Sequence, residues 1–212
     1  MTYSETTKPK VFIIESLDFE DEEKKLFEGH IIANILQLSK IETKYYYVRT
    51  KSEFKEVISK FYDSDYRYLH ISCHGGENHD SIWTTLDEIP FKELAEILGG
   101  NLYKKRLFMS SCSVVNDKLA KAVIPKTECY SIIGPKKDIE FRDAAIMWAS
   151  FYHLMFKKNK RNMFREGLIE NMQKVVDTFG QPLNYFSTSR RQGFTNKAIS
   201  PKRYTGPEEE FE

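Results

Sequence analysis

Residues 66–76, YRYLHISCHGG, and residues 106–114, RLFMSSCSV, decide how this chain folds. Each contains an apolar run that is rich in aromatic and branched side chains and too short for a helix, which predicts a buried strand. The first run leads to His74 and the second to Cys112. If the two strands are parallel neighbours, both residues emerge at the same carboxyl edge of one sheet, where open α/β sheets bind their ligands. The pattern predicts a nucleophile and a proton carrier side by side.

Strands and helices alternate along the rest of the chain. Further strands are predicted at residues 11–15, 41–49 and 129–134. Helices are predicted at residues 26–38, 52–62, 91–98, 117–123, 139–156 and 164–179, and the acidic residues 18–23 suit the first turn of the first of them. Because the connections are long enough for crossovers, we expect a mostly parallel sheet of about six strands with helices on both faces. This is a three-layer α/β sandwich.

The composition favours a single globular domain with protein partners. The chain has 212 residues, of which 41% are hydrophobic and 14% aromatic, enough to bury a sizeable core. Lys and Arg total 32 against 31 for Asp and Glu, so the net charge is +1. Such a balance gives no electrostatic support for nucleic-acid binding or for a membrane-surface protein. We therefore expect protein partners.

Three cysteines, an odd number, and a chain too large to need disulfides indicate a reducing compartment. The N-terminus lacks the apolar run of a signal peptide, and no apolar stretch is long enough to span a bilayer. We expect a cytoplasmic protein. Its organisation is predicted as a lead over residues 1–10, one domain over residues 11–191 and a polar tail over residues 192–212.

The spacing around the two chemistry-bearing residues resembles a known family. His70, three residues, then His74 and Gly75, followed after a helix by an apolar strand that ends Ser-Cys112-Ser, is similar to the caspase-like cysteine peptidases of clan CD. The likeness is greatest to their bacterial branch, the CHAT-domain proteins. It covers roughly residues 11–189.

Other segments extend this resemblance. Residues 132–134 match the end of another strand of the family, and residues 143–155 and 167–176 resemble its paired C-terminal helices. Residues 183–189 resemble its last edge strand, and residues 81–90 its small excursion after the histidine strand, which we read as a hairpin.

The resemblance implies a cysteine endopeptidase with His74 and Cys112 as its catalytic dyad. A thiolate attacks carbonyls, and a helix that starts at Asn116 or Asp117, just beyond Cys112, would favour the anion. His74 would stabilise the thiolate and protonate the departing amine. The family places an oxyanion hole at the backbone N–H groups of Gly75 and Cys112, and hydrolysis would run through an acyl-enzyme. No cofactor is needed.

Two other interpretations of these residues remain. Singly, a cysteine or a histidine at a strand end is more often buried or structural than catalytic. A zinc site would draw on the His and Cys side chains of the region, which are His70, Cys73, His74, His79 and Cys112. Successive strand residues face opposite ways and there is no Cys-x-x-Cys pair, so we expect no metal. The same alternation makes Cys73 a core residue.

The supporting residues are less certain from sequence. His70 shares a face with His74 and is a candidate to support it from behind. Related peptidases that prefer a basic residue before the scissile bond carry an acid after the first strand, for which Glu15 and Asp18 qualify. They carry another acid two residues before the nucleophile, where this chain has Ser110. Three cations near the end of the fifth strand, Lys136, Lys137 and Arg142, would instead favour an acidic residue. The balance favours a basic preference.

The family likeness suggests an effector in a bacterial signalling or antiviral defence system. A chain without a sensor or repeat domain would need a separate activating or regulatory protein, encoded nearby, besides its protein substrate. The alternative is a non-catalytic interaction module that keeps the fold as a scaffold and pairs through an exposed edge strand. The oligomeric state stays open.

Overall fold

The protein was analysed as a computed structural model that describes residues 7–100, 102–159, 163–189 and 191–202. The strands in these residues are β1 (Lys8–Glu15), β2 (Thr43–Tyr47), β3 (Tyr66–Ser72), β4 (His74–Gly75), β5 (Ser81–Trp83), β6 (Glu88–Pro90), β7 (Arg106–Ser110), β8 (Ser131–Pro135), β9 (Leu183–Ser189) and β10 (Gly193–Ile199). The helices are α1 (Phe19–Glu23), α2 (Glu28–Leu38), α3 (Lys51–Tyr62), α4 (Phe91–Ile97), α5 (Asp117–Thr127), α6 (Phe141–Lys158) and α7 (Arg165–Phe179).

The main sheet has seven strands in the order β10-β9-β8-β7-β3-β1-β2. The five strands from β8 to β2 are parallel, whereas β9 and β10 run antiparallel to their neighbours. Strands β4, β5 and β6 form a small separate sheet, which confirms the hairpin expected at residues 81–90. The expected mostly parallel α/β sandwich is confirmed, with seven strands instead of about six.

Helices cover both faces of the main sheet because its strands alternate their apolar side chains between two cores. One core packs β-strand residues such as Phe12 and Leu107 against α3, α4 and α5. The other packs Ile13 and Phe108 against α2, α6 and α7. A central parallel strand is buried on both faces, which explains why these strands read as continuous apolar runs.

Local signals fix the ends of several helices. Thr50 and Glu53 form a reciprocal capping box at the start of α3. Asn116 caps α5 as expected, since its side chain accepts hydrogen bonds from the backbone N–H groups of Lys118 and Leu119. Helix α7 ends at Gly180, whose φ of 70° suits a residue without a side chain.

Two of the sequence predictions are corrected at the level of elements. The acidic segment is a separate short helix, α1, because the chain breaks at Lys25, which has a φ of 58°, before α2 begins. Strand β9 is internal and not the edge strand, because β10 pairs along its whole length.

Residues 193–199 of the predicted polar tail form β10, in which the ring of Phe194 lies 5.8 Å from that of Phe186. Residues 203–212 of that tail lie outside the described residues. Among the helices of the described residues, none is both long enough and apolar enough to cross a bilayer.

Candidate active site

The register of β3 and β7 places His74 and Cys112 side by side. The two strands are parallel neighbours, and Ser72 lies opposite Ser110. His74 follows Ser72 by two residues and Cys112 follows Ser110 by two residues, so both leave the carboxyl edge of the sheet at equivalent positions. The two residues therefore follow equivalent ends of neighbouring parallel strands.

The ring of His74 is held by a carboxylate from another element. Its Nε2 lies 2.7 Å from Oδ2 of Asp21, in α1, and 3.6 Å from Oδ2 of Asp18. Asp18 is the N-cap of α1 and accepts the backbone N–H of Asp21 at 2.8 Å, which fixes both acids at this edge. The ring of Phe141 contacts the imidazole edge to face, with centroids 5.2 Å apart.

This arrangement selects a tautomer of His74. A carboxylate accepts only, so the nitrogen that faces Asp21 carries the hydrogen. In the neutral ring the other nitrogen, Nδ1, is then the acceptor.

The sequence interpretation missed Asp21. It assigned the acidic run to the stabilisation of a helix N-terminus, which accounts for such residues without any function. The available signal was position: the run follows β1, and β1 is the sheet neighbour of β3. Acidic residues that directly follow one strand lie close to the residues that follow the neighbouring strand of the sheet.

Cys112 is half-buried, whereas Cys73 and Cys129 are buried. Its thiol donates to the backbone carbonyl of Ile139, with Sγ 3.6 Å from the oxygen. Burial raises the pKa of the Cys112 thiol, and the negative charges of Asp138 and Glu28 act in the same direction. The expectation that a helix end would favour the thiolate is not met, because the side chain of Asn116 occupies the α5 N-terminus.

Cys73 is a core residue, as its position in the strand predicts. It lies in the core between the sheet and α3, α4 and α5, and its Sγ is 3.2 Å from the hydroxyl of Ser111. Burial raises the pKa of Cys73 to about 12 and that of Cys129 to about 11. Both thiols stay protonated at neutral pH.

His74 and Cys112, both within the described residues, are not hydrogen-bonded to each other in this structure. They instead contact the same short segment: the Cys112 thiol bonds the carbonyl of Ile139, and the ring of His74 packs on Phe141. Residues 139–141, which include the first residue of α6, therefore contact both side chains.

Gly75 is required by the close approach of the Cys112 loop. A Cβ at Gly75 would lie 2.5 Å from the carbonyl oxygen of Cys112 and 2.7 Å from Val114, which real Cβ atoms do not tolerate. Ser113 in the same loop has a φ of 53° and its hydroxyl donates to Asp138 at 2.9 Å. Glycine thus has a structural reason here besides the oxyanion role that the family resemblance implies.

Two residues expected to contact substrate face the interior. Glu15 is fully buried and accepts hydrogen bonds from the backbone N–H groups of Gly29 and His30 and from the hydroxyl of Tyr45. Ser110 is buried and accepts from the indole N–H of Trp148 at 3.0 Å. Their predicted role in substrate binding is wrong, because both side chains point into packed cores.

Asp18 and Arg142 do reach the surface at this edge. The Asp18 side chain is 55% exposed beside His74. Arg142, in the first turn of α6, is exposed and paired with Glu140 at 3.1 Å and Asp143 at 3.6 Å. The cation is therefore matched by two carboxylates.

His70 is fully buried and does not touch His74. Its Nδ1 lies 2.9 Å from the hydroxyl of Tyr152, and its Nε2 faces Oε1 of Glu28 at 3.8 Å. Neither Nε2 of His70 nor Oε1 of Glu28 has a hydrogen-bond partner among the described residues. Ser72 donates to the other oxygen of Glu28 at 3.0 Å. His70 supports the core under the sheet edge and not the imidazole of His74.

The zinc alternative is not assembled by the fold. Among the described residues, the one group of ligand-type side chains that converges is Asp18, Asp21 and His74, whose atoms lie within 4.8 Å of one another. It includes only His74 of the five residues considered for zinc. The 2.7 Å contact of Asp21 with Nε2 is a hydrogen-bond length, so Asp21 orients the imidazole.

No family model and no curated protein sequence matches this chain. Among solved structures, the fold is similar to that of iotapain, a secreted C11 cysteine protease from Bacteroides thetaiotaomicron. The TM-score is 0.53 at 10% sequence identity, over 87% of this chain and 67% of that one. Separase from Saccharomyces cerevisiae, in its complex with securin, matches with a TM-score of 0.47 at 10% identity, over 79% of this chain and 11% of that chain. The first likeness shows that this chain has the fold of a cysteine protease.

Proposed function

We propose that the protein is a cysteine endopeptidase in which Cys112 is the nucleophile and His74 the acid and base. The observation that carries the proposal is the equivalent placement of the two residues at the ends of β3 and β7, with Asp21 on the far nitrogen of the imidazole. A scaffold has no use for an oriented imidazole beside the only thiol of the three that is not buried. The shared fold with a cysteine protease supports the same reaction.

The reaction follows from the proton positions. Nδ1 of His74 takes the proton of the Cys112 thiol, and the thiolate attacks the scissile carbonyl. The imidazolium, stabilised by Asp21, returns that proton to the departing amine as the C–N bond breaks, which leaves a thioester. Water, deprotonated by His74, then attacks the thioester, and the acid is released with the thiol restored. Gly75 and Cys112 are the proposed backbone donors to the oxyanion.

Under this proposal the observed arrangement is the resting form of the enzyme. The Cys112 thiol is bound to the carbonyl of Ile139, and burial holds its pKa above the ordinary value. Activation requires that the turn before α6 release the thiol towards His74. We propose that a separate regulatory protein, encoded nearby, drives this change, as suits a cytoplasmic effector of the CHAT type in bacterial signalling or antiviral defence.

We propose a preference for a basic residue before the scissile bond. Asp18 is exposed beside His74, and Asp138 lies next to the Cys112 loop. Arg142, a cation that would favour an acidic residue, is matched by Glu140 and Asp143, whereas the exposed carboxylate of Asp18 leaves a negative charge beside His74. Such a field attracts a cationic side chain.

The experiment is the sequencing of new protein N-termini in cells that express the chain with its genomic neighbours, under the inducing stress, against a Cys112→Ala control. Termini that appear only with intact Cys112 would support the peptidase. The residue before each terminus gives the preference, and an excess of Lys or Arg is expected. Indistinguishable samples would refute catalysis.

The second candidate is a non-catalytic interaction module, favoured by the position of β10 as the outermost strand that the described residues form on that side of the main sheet. Thiol labelling separates the two. A peptidase should have Cys112 alkylated by iodoacetamide much faster than Cys73 and Cys129, and faster again with the activating neighbours present. Equal, slow labelling of all three cysteines in both conditions would favour the module.

A further inference from the structure

A basic cleft lies at the amino edge of the main sheet, opposite the edge that carries His74 and Cys112. Its volume is about 270 Å³. It is lined by Thr7, Arg67, Tyr68, Lys104, Arg106, Tyr130, Met163, Phe164 and Arg165. Four of these described residues are cations and none is an acid. A charge concentration of this kind is unexpected in a chain with a net charge of +1.

The walls of the cleft are held in place by their own hydrogen bonds. Arg106, the first residue of β7, donates through Nη1 to the hydroxyl of Ser131 at 2.7 Å and through Nη2 to the carbonyl of Met163 at 3.0 Å. The backbone N–H of Met163 donates to the hydroxyl of Tyr68 at 3.1 Å. Arg67 donates through Nε to the hydroxyl of Thr7 at 3.0 Å. The cleft is thus built from strand ends.

Three of the cations have no carboxylate partner among the described residues. Arg106 bonds only neutral oxygens, and a guanidinium carries five N–H groups, so donors remain for a ligand. Lys104 lies over the ring of Tyr103, 5.3 Å from its centre, and Arg165 over that of Tyr185 at 5.8 Å. Elsewhere in the molecule, exposed lysines and arginines are commonly paired with acids, as in the contact of Lys174 with Glu170.

The start of α7 adds to this field. Arg165 is its first residue, and the preceding Phe164 provides no side-chain cap. The helix has 15 residues, so its free N–H groups and dipole favour an anion at this end. Together with the cations, this selects phosphate over a carboxylate or a neutral ligand, because a phosphate has several acceptor oxygens at high charge.

Aromatic rings stand at the mouth of the cleft. Tyr130 is 40% exposed and Phe164 is 62% exposed, and the ring of Tyr103 meets that of Tyr130 edge to face at 5.9 Å. Exposed rings next to phosphate-binding cations are suited to a planar base. The small volume and the balanced overall charge do not suit a nucleic-acid strand, which needs an extended basic groove.

We propose that this cleft binds a nucleoside phosphate, with the phosphates against Lys104, Arg106 and Arg165 and the base against the exposed rings. The site is independent of the proposed peptidase reaction, since binding needs neither His74 nor Cys112. The strands β3 and β7 begin at this cleft and lead to those two residues, about 20 Å away.

The test is calorimetric titration of the whole chain with ADP, GDP, UDP and CDP, and with adenosine and a twelve-residue oligodeoxynucleotide. The proposal expects at least one diphosphate to bind, adenosine to bind at least tenfold more weakly than ADP, and affinity to fall as KCl is raised. The variant Lys104→Asn/Arg165→Glu should weaken the diphosphate at least tenfold. Asn suits the left-handed backbone of Lys104, φ 65°, and Glu suits the first turn of a helix, so folding should be kept.

The matched control is Lys92→Asn/Lys121→Glu, which makes the same change in charge at exposed lysines outside the cleft. It should bind the diphosphate as the wild type does, and thermal unfolding should show both variants folded. Equal weakening in the control, absence of binding by every diphosphate at millimolar concentration, or tighter binding of the oligonucleotide than of ADP would each overturn the proposal.

Discussion

The orientation of His74 depends on one carboxylate that comes from a different element. Asp21 in α1 holds Nε2 at 2.7 Å, while Asp18 stands further away at 3.6 Å and caps the same helix. The two acids are thus close in space but differ in what they do. Only Asp21 is placed to fix the tautomer of the imidazole.

Replacing Asp21 by Asn should lower kcat/KM by about 10²-fold, because Asn cannot stabilise the imidazolium and permits the wrong tautomer. The measurement is cleavage of the substrate identified from the new N-termini, across a range of pH. The pH profile should change as well as the rate, which a purely structural loss would not cause. Glu23→Gln, at an exposed position of the same helix α1, is the matched control, and it should lose much less activity. Equal losses in the two variants would contradict the assigned role.

Gly75 has no side chain, and this allows the loop of Cys112 to pack closely against it. Gly75→Ala should displace the Cys112 loop, because the added Cβ would meet a backbone oxygen at 2.5 Å. We expect cleavage to be lost and the free energy of unfolding to fall by about 1–3 kcal/mol. Gly167→Ala is the control: open space surrounds that position inside α7, so it should stabilise by about 0.5–1 kcal/mol and leave cleavage intact. Full activity in Gly75→Ala would show that the approach of the loop is not needed.

At the scale of elements, Glu15 joins the end of β1 to the start of α2. Its carboxyl accepts the N–H groups of Gly29 and His30 and the hydroxyl of Tyr45. Burial raises the pKa of Glu15 to about 7, against the lowering effect of those hydrogen bonds, and the buried Glu28 adds to the rise. The folded protein therefore binds a proton here that the unfolded chain, with a value near 4.5, has already released.

The consequence is a loss of stability as pH rises. Between about pH 4.5 and pH 7 the native state holds the proton of Glu15 and the unfolded state does not, so the free energy of unfolding falls with increasing pH. A rise from 4.5 to about 7 is worth about 3 kcal/mol. Glu15→Gln should lack this fall, as measured by urea unfolding from pH 4 to pH 8. The exposed Glu23→Gln should keep the wild-type slope, and a parallel slope in both variants would refute the assignment.

At the scale of the whole molecule, one sheet serves two cores. Adjacent residues of β7 face opposite layers: Leu107 packs with α3, α4 and α5, and Phe108 with α2, α6 and α7. Both cores use the side chains of the same strands. When one core loses its packing the sheet is destabilised, and the other core is destabilised with it.

We therefore expect Leu107→Ala and Phe108→Ala to lower the same unfolding transition, by about 2–5 and about 3–5 kcal/mol respectively. Far-UV circular dichroism and the fluorescence of the buried Trp148 should report one midpoint in each variant. A variant in which the two probes separate would show that the layers unfold independently.

The sequence predicted the central strands, which are buried on both faces of the sheet. It also predicted where these strands end, and the candidate catalytic residues follow those ends. Continuous apolar runs mark the central strands. The residues that follow each run can be read directly from the sequence, so His74 and Cys112 could be identified as candidates. The strand β10 could not, because an edge strand with an exposed face carries polar side chains and has the composition of a loose tail. The function of α1 was also hidden in the sequence. Its acidic residues are explained by helix capping, and their contact with His74 depends on the tertiary fold.

The sequence by itself determined the α/β sandwich, the position of His74 and Cys112 after the ends of two strands and the burial of Cys73, since these follow from periodicity and from the alternation of side chains along a strand. Only the tertiary structure decided that Asp21 holds His74, that Glu15 and Ser110 face inward, and that the Cys112 thiol rests on Ile139. It also brought Lys104, Arg106 and Arg165 to one cleft. The reason is physical: periodicity fixes which face a residue takes within its own element, whereas the partner on that face comes from a distant part of the chain.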